Sequence, residues 1–252
     1  MPRLDEIEWH RLHGPYGTSK GVPAALRDLE AESARKRAAA VGFLQEHLWH
    51  QGTVYEVSAP AVPFVADAAL GPSVGRDDRI WLILLLTSIA DGSSYLDVHR
   101  ELDEEEDIPV DEAELQRELG WVNDAREAVR QRLPEFIGRL RTEADVSTQV
   151  ALAQLAAQFP ERANESLALV EELAEREPDE PRKLVLELAV AAIGGAADRE
   201  DLLRRLPDDY YDSEETDEIA NRLVEAEDAK CVYREILENV IGAAIEFESS
   251  ES

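Results

Sequence analysis

Apolar residues recur every three or four positions along most of this chain, a spacing that fits helices packed on helices and little else. From Asp111, an N-cap candidate with Glu114 three residues on, Leu115, Leu119, Val122, Ala125, Val129 and Leu133 make one stripe, which Pro134 is expected to end. A second stripe follows the start signals Asp212 and Glu215 through Ile219, Leu223, Ala226, Tyr233, Ile236, Val240, Ala244 and Phe247, either as one long helix or broken near Lys230. Between the two, residues 146–159, 161–176 and 181–193 are predicted helices punctuated by Pro160 and Pro178. Only residues 53–57 alternate enough to suggest a strand. The predicted class is all-α. With 252 residues, 44% of them hydrophobic, the chain can bury roughly 70% of its unfolded surface, which excludes wholesale disorder.

Short helices joined by Pro and Gly turns can close into a bundle or stack as a solenoid, and internal repetition favours the stack. Arg35-Lys36-Arg37 opens a predicted helix ending near Gly52, Arg79-Ile80-Trp81 one ending at Gly92, and Arg182-Lys183-Leu184 one ending at Gly194-Gly195. The first two starts lie 44 residues apart, a helix-pair period, and neither helix of such a pair buries its stripe without a neighbour. The apolar run at residues 80–90 is too short to span a bilayer and reads as a buried helix.

The opening residues carry a family resemblance. Trp9, Leu12, His13, Gly14, Tyr16, Gly17, Val22-Pro23, Leu26 and Leu29, then His50-Gln51-Gly52-Thr53-Val54-Tyr55 and Ala61-Val62-Pro63-Phe64, resemble the start of a group of bacterial HEAT-repeat-like proteins. The resemblance covers about the first 90 residues; later segments resemble HEAT repeats only generally, in Leu155-Ala156 with Phe159-Pro160 and in 189–195. It implies a HEAT-like α-solenoid of antiparallel helix pairs and a surface for binding proteins. The expected organisation is a single repeat domain over 1–252, with near-neutral repeats in 1–100 and acidic repeats in 101–252. Among HEAT-like enzymes, di-iron hydroxylases use His-Glu pairs, and no His here precedes Glu. HEAT-like DNA glycosylases need a basic groove, and no motif supports a bilin lyase.

Charge separates the two parts. Residues 1–100 hold 13 acidic and 10 basic side chains, whereas residues 101–252 hold 42 and 16 and carry −26 of the net −29. Such a field repels phosphate backbones and anionic bilayers, so neither nucleic acid nor membrane is an expected partner. Asp103, Glu104, Glu105 and Glu106 in one run, and Asp208, Asp209 and Asp212 in another, lack an EF-hand pattern and suit a solvated loop or a basic protein partner. The lone Cys231 allows no intrachain disulfide, and the charged start lacks the apolar run of a signal peptide, so a cytoplasmic setting is expected.

All five histidines fall in the near-neutral part. His10 and His13, like His47 and His50, are three apart and could pair imidazoles on a helical face, which would make a metal-dependent enzyme conceivable. No acid completes a hydrolytic motif, and Gly14 and Gly52 beside the pairs favour helix-end capping. The segment 49–55 reads either as an elbow fixed by its glycine and aromatics or as part of a recognition edge formed with the loop 14–21. The candidate partner-binding residues are therefore Trp9, His13, Tyr16, His50, Gln51, Thr53 and Tyr55, with the two acidic runs. The expected function is a non-catalytic protein-binding scaffold, immunity or antitoxin-like in its sharper form, with no cofactor and no metal.

Overall fold

The computed structural model describes residues 3–102, 111–206, 218–219, 221–223 and 229–247. Asp103, Glu104, Glu105, Glu106, Asp208, Asp209, Asp212, Glu215 and Ala226 lie outside them. The described chain is all-α, its only strands being two short hairpins, and among the described residues no helix is long and apolar enough to cross a membrane. It divides into two compact units, Met1–Leu133 and Pro134–Ser252.

In the first unit, α1 (Val22–Asp28) packs on α2 (Ala34–Leu48) and α3 (Ser58–Leu70) on α4 (Arg76–Asp91), with α2 also against α4. The apolar run is the buried body of α4, where Ile80, Leu82, Ile83, Leu85, Leu86 and Ile89 are sealed from water. Arg37 Nε donates to Asp78 at 3.1 Å and fastens α2 to α4. After α5 (Tyr95–Leu102) comes α6 (Glu112–Leu140), whose start is capped by Asp111 Oδ1 accepting from the Ala113 amide at 2.9 Å. Its inward polar groups are all used. Glu118 accepts from Ser94 Oγ and the Leu96 amide, Arg126 donates to the Ala90 carbonyl, and buried Arg132 donates to the Pro63 carbonyl and to Asp67 at 2.8 Å. A buried guanidinium without those acceptors would be strongly destabilising.

Two expectations about α6 need correction. Pro134 does not end it: the helix runs on to Leu140. Pro134 is exposed, so its ring meets solvent rather than a packed neighbour. Breaking the ladder costs about 3 kcal/mol, while burying Phe136, Ile137 and Leu140 returns about 1.5–3 kcal/mol each. On the stripe itself, Leu115, Ala125, Val129 and Leu133 are buried, but Leu119 and Val122 are only half-buried.

In the second unit, α7 (Val146–Ala157) is capped by Asp145, whose carboxylate accepts from the Thr148 amide and hydroxyl. A 3₁₀ turn at Pro160–Arg162 leads into α8 (Ala163–Arg176). Then α9 (Glu180–Ile193) starts at an Asp179 cap with Pro181 in its first turn and stops at Gly194, where φ of +112° gives the left-handed closure glycine permits. Helix α9 packs against α7, α8 and α11 (Lys230–Ala244), with the short α10 (Arg199–Arg204) alongside. The terminal stripe is buried at Ile219, Leu223, Tyr233, Ile236, Val240 and Ala244, but Phe247 falls beyond the helix end and is exposed.

Leu188 on α9 is wholly buried, so Leu188→Ala should destabilise the protein by about 2–5 kcal/mol in chemical denaturation. Leu119→Ala should cost clearly less, because water already reaches that side chain.

Candidate functional site

The last turn of α2 runs straight into β3 (Trp49–His50), which pairs antiparallel with β4 (Thr53–Val54). A two-residue loop joins them. Gln51 at φ +49° and Gly52 at φ +85° give the doubly left-handed geometry that matches the twist of a hairpin. A second hairpin, β1 (His13–Gly14) with β2 (Gly17–Thr18), turns through Pro15 and Tyr16. The sequence suggested 53–57 as a strand; only Thr53–Val54 pairs, and the chain then turns into α3.

Beneath the surface the elbow is held by hydrogen bonds. Thr53 Oγ1 donates to the His50 carbonyl and lies 2.8 Å from the Tyr55 hydroxyl. Ser58 Oγ donates to the Leu48 carbonyl at 2.6 Å and accepts from the Tyr55 amide. Ser93, from the turn between α4 and α5, donates both its amide and its hydroxyl to the Gly52 carbonyl, while its own carbonyl accepts from the Val54 amide.

The two hairpins meet at Tyr16. The residue is 63% exposed, and its ring stands edge-on to His47 and His50, with centroids 5.2 and 5.4 Å away. His47 is held in turn: Nδ1 donates to the Phe43 carbonyl at 2.8 Å, and the imidazole stacks on the Phe43 ring at 3.7 Å. Phe43 closes over Gly21, where a Cβ would come within 2.5 Å of the ring. On the other strand of the edge, the His13 amide and Nδ1 both approach Glu56 Oε2, at 3.0 and 2.9 Å, and the His13 carbonyl accepts from the Val57 amide. The His13 ring also stacks near Trp121, 6.2 Å between centroids.

This arrangement separates the sequence candidates. His13, Tyr16 and Gln51 are exposed and His50 is half-exposed, so these four form one accessible edge. Trp9 does not belong to it: its ring is buried edge-on to Phe64, and its indole N–H donates to the Leu4 carbonyl. Thr53 is likewise buried, and Tyr55 is half-buried within the elbow. The histidines do not share a helical face, since His10 sits in a 3₁₀ turn, His13 and His50 in strands, and only His47 in a helix. Among the described residues, no three His, Cys, Asp or Glu side chains are placed to hold a metal. Phe43, Glu56 and Trp121 were not among the sequence candidates; only Phe43, one helical turn before His47, carried a local signal.

Comparison with protein-family models, with curated proteins and with solved structures finds no match. The edge itself, an exposed phenol braced by two imidazoles beside a hairpin tip, is suited to contact and hydrogen bonding.

Burial acts to raise the Glu56 carboxyl, but the His13 hydrogen bonds, with smaller attraction from Arg117, outweigh it and hold the group below its ordinary 4.5. A lowered carboxyl stabilises the fold above that ordinary value and loses the contribution as pH falls through the lower folded value. The pair is partly exposed, so solvent screening should keep its effect under about 1 kcal/mol. Thermal melts of wild type and Glu56→Gln should therefore differ slightly at neutral pH and converge as pH drops below 4.5. By NMR titration, His13→Ala should move the Glu56 carboxyl upward.

Proposed function

We propose that this chain is a non-catalytic, cytoplasmic helical-repeat scaffold that binds another protein through the edge centred on Tyr16, and that it neutralises a basic partner in the manner of an immunity or antitoxin-like protein. The observation that carries the reading is Tyr16 itself, 63% exposed yet fixed against His47 and His50. Most of the residue faces water rather than the core, and tyrosine is among the residues that dominate binding energy at protein interfaces. Support for a HEAT-like α-solenoid comes from the sequential packing of α1 on α2, α3 on α4 and α8 on α9 within their units. The net charge of −29 supports a basic partner, because attraction over a distance speeds encounter.

The test uses the whole chain as immobilised bait, wild type against Tyr16→Ala, with captured proteins identified by mass spectrometry. A basic protein retained by wild type should be lost or weakened at least tenfold by Tyr16→Ala, with the bait's melting temperature unchanged. Association of that protein should slow steeply as salt is raised through the physiological range. Equal capture by both baits, or association indifferent to salt, would overturn the reading.

A further inference from the structure

Within the second unit, α8, α9 and α10 enclose an open groove of about 530 Å³. Its floor is apolar, made by the largely buried Ala174, Val190 and Leu202. Its rim is acidic, but the carboxylates differ in what they already hold. Glu187 and Asp201 are both engaged by Arg205, and Asp201 also by Arg204. Glu171 and Glu175, one turn apart on α8, have no ion-pair partner among the described residues. Like charges at that spacing oppose the helix that carries them. Across the groove, Lys183 is the one cation of the lining among the described residues.

We infer that this groove seats one arginine side chain of a protein partner, an inference that rests on the basic-partner reading above. The apolar floor fits the three-methylene stem, while the unpaired Glu171 and Glu175 complement the charged end. Carboxylates a helical turn apart stand about 5–6 Å from each other at Cβ, a separation that a planar guanidinium with five N–H donors bridges better than a compact ammonium. Lys183 limits the occupant to a single charge, because a second cation entering beside the first would meet its ammonium.

The probe is an acetylated, amidated Ala-Arg-Ala peptide added to the full-length protein and followed by methyl NMR at Val190 and Leu202. Saturable shifts at those methyls are expected, at least tenfold weaker binding for Glu171→Gln/Glu175→Gln, and severalfold tighter binding for Lys183→Gln. The neutral isostere Ala-citrulline-Ala should leave the methyls unmoved. Glu30→Gln/Glu32→Gln, a change of the same charge at exposed positions of the first unit, should bind as wild type. The inference is overturned if the methyls do not respond to the arginine peptide, if citrulline or spermidine produces the same saturation, or if both glutamine pairs weaken binding alike. Loss of the peptide response while Tyr16→Ala still abolishes partner capture removes the groove and leaves the scaffold standing; equal capture by wild type and Tyr16→Ala alongside an intact peptide response removes the Tyr16 edge instead.

Discussion

Beyond its first turn, helix α9 shows water almost nothing but Glu187. Leu184, Val185, Leu186 and every residue from Leu188 to Ile193 are buried, so the apolar surface wraps nearly the whole cylinder rather than forming a stripe. A helix of that kind exists only inside a sheath of other helices, and α7, α8 and α11 supply it. Helix α7 is made the same way, buried from Ser147 to Ala157, with four alanines among those residues. Small side chains at such contacts let neighbouring backbones come close, and the distance between packed helices follows from them. The charge then has one place to go. Acidic residues excluded from these interiors collect on outward faces such as that of α8, and the groove beside α10 is where that acidity meets an apolar floor.

The first unit depends on a different constraint, the way α2 ends. The helix stops at Leu48 and Trp49 is already extended, so the chain must reverse within a few residues. Carbonyls left open at that end are taken by side chains rather than water: Ser58 serves Leu48, and Thr53 serves His50. Because the reversal is fixed from inside, His47 and His50 are presented outward on either side of the helix end, and the β1–β2 turn brings Tyr16 onto both. The Tyr16 edge is thus an outgrowth of helix termination.

Most helices were readable from the sequence, since apolar runs as long as 146–157 or 180–193 with prolines between them have few other uses. The misreadings share a cause, which is tertiary burial outweighing a local signal. Pro134 is a strong stop in isolation, yet the apolar residues after it keep α6 going. Leu119 and Phe247 fit their stripes by spacing, but spacing cannot say where the neighbouring helix ends. At the site, Gln51-Gly52 announces a turn, and the convergence of the two glycine-bearing loops was legible as an alternative. The bond between His13 and Glu56 was not, because 43 residues separate the partners and neither belongs to a periodic element. Trp9, a candidate partner-binding residue by sequence, finds an acceptor for its indole N–H in the preceding turn, which allows a ring of that size to be buried.

The Gly52 carbonyl takes two hydrogen bonds from Ser93, while the residue before it, Gln51, stands free in water at the hairpin tip. A loop clamped on one side has few conformations left to lose. Ordering side chains and loops is a large part of what association costs, so a surface that is rigid before contact forfeits less entropy on meeting its partner. Such an edge gives up adaptability in return: under the proposed reading it selects by shape already present, and the partner does whatever accommodating is required.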